Sequence, residues 1–307
     1  MPTIDNVDRT YDRFEQLLKR YGISVASGSR LETALLFARH VLHVRNGDTP
    51  IKVPDDRAYW REMPGIYDLA KRILRAERVT RHKFRALLPW LFLFGSTKGQ
   101  LAQNAPTISG DQDSDHVFEL LVALCLLPRV GELVPDRGRG DNPDLLFRFS
   151  TGAGYHTWGI ACKRLYSKDP RKFRDTVTKG IAQIENSKAE RGLVFVSLVN
   201  LVNHDAFYPK TEMGYVGMRA NRMKRLLEDE QRRLEQENVG LTDRDLASEF
   251  IGKKALPGVV HYIGTTYLSG PEDAPTIQTV QQAWGRGRVN QLLQAFQAGL
   301  NSTSGTP

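Results

Sequence analysis

Cysteine is almost absent: the 307-residue chain carries 2, Cys125 and Cys162. Two thiols cannot build a disulfide framework or a four-cysteine zinc site, so a reducing, cytoplasmic setting is expected. Long apolar runs are missing as well. The run over residues 87–94 holds a proline, and neither it nor the apolar run at 120–127 is long enough to cross a bilayer, so no membrane role is expected. Residues 1–20 are polar with scattered apolar positions and do not read as a signal segment. There is no internal repeat and no Walker-type or dinucleotide glycine pattern. The 7 histidines, His116, His156, His204 and His261 among them, lack metal-ligand spacing. Acidic residues are in deficit, with 35 Asp and Glu against 43 Lys and Arg, a net charge of +8. That excess suits nucleic acid but is common among unrelated proteins. What remains, 40% hydrophobic and 25% charged residues, describes a globular chain rather than a disordered one.

The first hundred residues read as helices. Tyr11, Phe14, Leu17, Leu18 and Tyr21 recur at helical spacing, as do Leu31, Ala34, Leu35, Ala38, Val41 and Leu42. Ile66, Leu69, Ala70, Ile73 and Leu74 repeat the pattern after Pro64, and residues 81–94 suggest another helix bent near Pro89. The polar run 95–114 reads as a linker. Beyond it, Asp113, Ser114 and Asp115 can cap a buried helix over 116–127. Strands are expected at 130–134, 144–149 and 155–163, the last two joined as a hairpin. A basic helix over 170–188 and a continuous apolar strand over 193–202 follow. A long charged helix spans 212–238, where alternating signs suggest a solvated or partner-facing surface, and a last strand falls at 259–268. The expected organisation is a helical N-terminal domain (1–108), an α/β core (109–270) and a C-terminal tail (271–307) with a short helix at 288–298.

The chemistry-bearing segment is Asn142-Pro143-Asp144-Leu145-Leu146 followed by Gly159-Ile160-Ala161-Cys162-Lys163-Arg164-Leu165. An acid opens one strand and a lysine closes its hairpin partner, and side chains 161 and 163 share a face because strand positions alternate. Each residue has an ordinary reading taken singly. Asp144 after proline can start a turn, Lys163 can snorkel at a strand end, and Cys162 can be a small core residue. Glu119 is harder to dismiss, because its helix is apolar on nearly every side and a buried carboxylate needs a partner.

As an ordered set these residues resemble the PD-(D/E)xK nuclease superfamily, the restriction-endonuclease-like fold. Pro143-Asp144 is similar to the first half of that motif, and Lys163 to its closing lysine. Glu119 is similar to the accessory acid of the preceding helix, and Gln183 to a glutamine on the following one. The resemblance covers residues 112–202. It implies a mixed β-sheet flanked by helices and Mg²⁺-dependent hydrolysis of DNA phosphodiesters, with Mn²⁺ as a substitute, in restriction or antiviral defence. It further implies that Asp144, Glu119 and the Cys162 carbonyl hold metal, that Lys163 orients the attacking water, and that Gln183 positions water or the lysine. A homodimer and a protein partner for the N-terminal helices fit the same reading.

One position departs from the pattern: Ala161 stands where the second acid is expected. Three accounts fit. The alanine is an inactivating substitution of a glutamate, the acid has migrated, with Glu185 as candidate, or the chain is a nuclease-fold protein that only binds or assembles. Arg137, Arg139, Arg164, Lys168, Arg171, Lys172 and Arg174 flank the candidate site and are expected to meet phosphates, though each singly could be a solvated charge. A ribonuclease is a weaker alternative, since nothing in the sequence reads a 2′-hydroxyl.

Overall fold

The computed structural model describes residues 4–45, 57–98, 101, 112–135, 143–151, 154–204, 220–236, 247–269, 276–287 and 290–301. Helices α1 (Ile4–Arg20), α2 (Arg30–Arg45), α3 (Arg57–Val79), α4 (Arg81–Phe84) and α5 (Leu88–Ser96) lead to α6 (Gln112–Leu126). Strands β1 (Leu133–Pro135), β2 (Leu145–Thr151) and β3 (Gly154–Arg164) precede α7 (Pro170–Glu185) and β4 (Arg191–Ser197). Then come α8 (Ala220–Gln236), β5 (Ala255–Ser269), β6 (Thr276–Gly287) and α9 (Asn290–Asn301).

The six strands form one sheet in chain order, β1-β2-β3-β4-β5-β6. The outer pairs β1/β2, β2/β3 and β5/β6 are antiparallel; β3/β4 and β4/β5 are parallel. Parallel neighbours need a crossover, which α7 supplies between β3 and β4. The protein is thus mixed α/β, with helices on both faces of the sheet.

Strand alternation divides the core into two. Ile160, Cys162, Leu193, Phe195, Val260 and Tyr262 point to one face, where they join α6, α9 and the N-terminal helices. Ala161, Val194, Val196, Val259 and Ile263 point to the other, beneath Phe173, Val177 and Ile181 of α7 and Met223, Leu227 and Leu234 of α8. The charged helix therefore buries one stripe against the sheet rather than standing free; its expected start at 212 lies outside the described residues.

Three expectations are corrected. The expected 81–94 helix breaks before Pro89 rather than bending at it: a 3₁₀ turn, Arg85–Leu87, separates α4 from α5, and the proline sits in the first turn of α5, where its missing N–H costs nothing. Pro64 lies inside α3 instead of near its start, because the helix runs back to Arg57. The C-terminal tail is no tail: β6 pairs with β5 from Thr276 to Gly287, and Leu292, Phe296 and Leu300 of α9 are buried. The strand escapes a pattern search because its residues, Thr-Ile-Gln-Thr-Val-Gln-Gln, are polar at most positions.

Nor do the N-terminal helices have a core of their own. Tyr11, Phe14, Ile73 and Leu91 share one apolar cluster with Phe118, Phe147, Phe195 and Phe296. A buried polar knot fastens the same joint. Arg72 of α3, 5% exposed, donates to Asp68 (2.8 Å) and Gln281 of β6 (2.8 Å) and to the carbonyls of Gly299 (3.0 Å) and Leu300 (3.1 Å) in α9. Arg72→Ala leaves the Asp68 carboxylate buried without its guanidinium, and a loss of about 3–5 kcal/mol in unfolding free energy is expected from urea denaturation. A loss below about 1 kcal/mol, the range of an exposed pair, would show that the knot is incidental.

Candidate active site

Pro143 and Asp144 stand at the entrance to β2, beside the middle of β3. Pro143 packs directly on Gly159, where an added Cβ would lie 2.9 Å from the proline Cγ, so the glycine lets the two chains close. That approach carries the Asp144 carboxylate to β3. Its Oδ2 accepts the Cys162 backbone N–H at 2.5 Å and meets the Lys163 ammonium at 3.5 Å. Lys163 Nζ also donates to the Cys162 carbonyl at 3.1 Å, so the ammonium bridges two oxygens. From α7 the Gln183 amide reaches Asp144 Oδ1 at 3.5 Å, while Gln183 Oε1 is enclosed and has no hydrogen-bond partner among the described residues. Helix α7 is started by Pro170 and by Asp169, whose side chain accepts the Arg171 N–H at 2.9 Å.

Asp144 is 8% exposed, and burial pushes its carboxyl from 3.8 up to about 6; Lys163 opposes the rise and Glu119 adds to it. Glu119, on α6, is itself buried, and one oxygen, Oε2, is held by both the Trp90 indole N–H of α5 (3.0 Å) and His116 Nδ1 (3.3 Å). Burial pushes the Cys162 thiol well up, which rules it out as a ready nucleophile; its backbone N–H and carbonyl are the groups that serve the site.

Two further residues belong to this electrostatic cluster and were not anticipated. Asp115 lies one turn before Glu119 on α6; burial raises its carboxyl, with Arg164 and Lys163 opposing and Glu119 adding. Tyr166 donates to it at 3.4 Å. The i, i+4 spacing of Asp115 and Glu119 was the available signal, but Asp115 is equally what a helix start selects.

Ala161 is fully buried on the α7 face of the sheet. Opposite it stands Gly180, where a Cβ would come within 2.9 Å of Val194 Cγ1 and 3.3 Å of the Ala161 methyl. A glycine inside a helix costs about 1 kcal/mol relative to alanine; here it lets α7 lie flat on β3 and β4. Glu185 does not replace the missing acid. Its Oε1 accepts the Lys254 N–H at 2.5 Å and the Ala255 N–H at 3.4 Å, capping the start of β5.

The basic residues separate. Arg164 is turned inward, 6% exposed, and donates to the Ser114 carbonyl at 3.1 Å, so its expected phosphate contact is corrected to a brace between β3 and α6. Alternation puts it on the face opposite Lys163. Arg174 pairs with Glu249 through Nε (2.7 Å) and Nη2. Lys168, Arg171 and Lys172 are exposed at the head of α7. Arg137 and Arg139 lie outside the described residues.

Asp144, the Cys162 carbonyl, the unpartnered Gln183 Oε1 and Glu119 offer hard oxygens, the ligand type that Mg²⁺ and Mn²⁺ take. The donor chemistry fits such an ion, short of the carboxylate that Ala161 does not provide. Among the described residues no three His, Cys, Asp or Glu side chains form a metal-binding group, and no helix is long and apolar enough to cross a membrane. Compared with protein-family models, curated proteins and solved structures, the chain matches none.

The raised Asp144 carboxyl has a sign that stability can report. The folded protein holds this proton more tightly than the unfolded chain, so the protonated form stabilises the fold at low pH, and that contribution is lost as pH rises from about 4 through about 6. Unfolding free energy measured against pH should therefore fall less steeply across this window in Asp144→Asn than in the unmodified chain. Equal slopes, or a ¹³C carboxyl titration near 3.8, would show that Asp144 is not held as described.

Proposed function

We propose that this chain is a restriction-endonuclease-like protein whose site is laid out for Mg²⁺-dependent hydrolysis of DNA phosphodiesters, in a form deprived of one carboxylate at Ala161. The observation that carries the reading is the meeting of Asp144, Lys163 and Gln183 around one buried carboxylate. Support comes from the order in which the elements follow: a helix bearing Glu119, three antiparallel strands, a helix bearing Gln183, and a strand parallel to the third.

In this reading Asp144 and the Cys162 carbonyl would hold the ion, and Glu119 of α6 would supply the further carboxylate. A divalent ion so bound supplies Lewis acidity and a more acidic water. Lys163, already on both oxygens, turns its ammonium to the incoming water or to charge growing on the phosphate. Gln183 fixes the carboxylate and offers its free Oε1 to the water. Lys168, Arg171 and Lys172 are exposed cations for backbone phosphates, and binding through them weakens as salt rises. Bacterial defence or restriction is the setting such an activity suits.

The alternative, a nuclease-fold subunit that binds or assembles without cutting, draws on one observation: Ala161 is packed as an ordinary core residue. Position 161 separates the two. Ala161→Glu, with folding verified by thermal melting, should gain plasmid cleavage with Mg²⁺ or Mn²⁺. Adding Lys163→Ala should then lower the rate about a hundredfold to a thousandfold. A folded Ala161→Glu protein that cuts neither DNA nor RNA with either ion favours the assembly reading.

A further inference from the structure

Glu119 is held in part from outside the α/β core, by Trp90 of α5. Both of its donors converge on Oε2, the Trp90 indole N–H at 3.0 Å and His116 Nδ1 at 3.3 Å, and Oε1 has no hydrogen-bond partner among the described residues. His116 is half-exposed, with 46% of its side chain open, whereas Trp90 is 4% exposed. The rigid member of the pair is thus the tryptophan. Its ring is fixed by α5, which packs on α6 in the shared core with Leu91, Phe94 and Phe118. A buried carboxylate with one oxygen anchored is oriented, and the other oxygen is free for a ligand.

We infer that Trp90 is a positioning residue for the candidate metal site: its indole N–H anchors Glu119 Oε2 and leaves Oε1 as the oxygen presented to a divalent cation beside Asp144. The inference rests on the metal-site reading above. It gives the N-terminal helices a role that their sequence did not suggest. They supply the partner that orients one of the site's carboxylates, so a shift of α5 on α6 changes the donor set without touching β2 or β3.

Four tryptophans, Trp60, Trp90, Trp158 and Trp284, give four indole N–H resonances in ¹⁵N-labelled protein, assigned through single Trp→Phe substitutions. Mg²⁺ titrated into the full chain, and into Ala161→Glu, should move the Trp90 indole resonance saturably, and Asp144→Asn should abolish the movement. Mn²⁺ affinity, read by electron paramagnetic resonance, should fall about tenfold to a hundredfold in Trp90→Phe, as expected for an outer partner of a ligand. Glu119→Gln should weaken it comparably, and the double variant should be little worse than either single one. If Mn²⁺ binds in a manner that needs Asp144, yet Trp90→Phe binds normally or the Trp90 resonance stays still, the positioning role is overturned and the metal site stands. If neither the chain nor folded Ala161→Glu binds Mg²⁺ or Mn²⁺ saturably, the metal-site reading falls and the inference with it. The resonance measured in the unsubstituted protein decides the matter even where Trp90→Phe does not fold.

Discussion

A carboxylate taken out of water must be met by donors or it will not stay ionised, and Asp144 is the point at which this protein faces that demand. Three donors from two elements answer it: β3 with the Cys162 N–H and the Lys163 ammonium, and α7 with the Gln183 amide. Each donor is correctly placed only if β2 and β3 keep their register, if α7 lies close on the sheet, and if Pro143 seats against Gly159. The short hairpin, the glycine-permitted helix contact and the proline turn are thus conditions on a single group. Even so the compensation is partial, since burial still lifts the carboxyl to about 6. A carboxyl whose proton affinity burial has raised responds to any further positive charge brought beside it.

A second constraint comes through Glu119. Helix α6 is apolar on nearly all sides because it is packed between the sheet and the N-terminal helices, and its few polar residues must find partners across those boundaries. Glu119 finds Trp90 on α5, Ser114 accepts from Arg164 of β3, and Asp115 accepts from Tyr166 beyond it. One helix therefore carries contacts from the N-terminal segment to the strand that bears Lys163. The Arg72 knot joins the same segment to α9 on the same face and to β6 at the edge of the sheet. The candidate site is thereby coupled to helices that appear separate when only the sequence is read.

Local patterns were legible where local physics decides them. The alternation of β3, the apolar run of β4 and the basic helix α7 each follow from a few adjacent residues, and so did the pairing of Asp144 with Lys163 through a hairpin. What escaped depends on distant partners. Strand β6 is polar at most positions, and it is held by its ladder to β5 and by Arg72, more than two hundred positions away. Arg164 and Lys163 look alike as neighbouring cations, yet a strand sends one inward to α6 and the other to the site. Glu185 looked like a substitute acid by proximity on α7, but the start of β5 occupies its carboxylate. No property of these side chains alone distinguishes those outcomes.

Ala161 takes its meaning from the charge balance around Asp144. As the chain stands, one carboxylate faces one ammonium, and the fold tolerates the pair without further cation because Lys163 bridges Asp144 and the Cys162 carbonyl. A second carboxylate at 161 would enter a layer formed by Val177, Ile181 and Val194, where the donors nearest in the sheet and on α7 are the Lys163 ammonium, already shared by two oxygens, and the Gln183 amide. Two like charges in that space raise each other's proton affinity unless a cation of higher charge is present. The alanine thus leaves Asp144 balanced by Lys163 while the Gln183 oxygen stays unpartnered, whereas an acid there adds a charge that a divalent ion would relieve. Structure and ion would then become linked: binding energy would be drawn partly from relief of the unpaired carboxylate, and the folded state would gain stability with ion concentration. On these grounds the residue at 161 sets how much negative charge the surrounding geometry holds, and so how strongly it would draw a divalent ion.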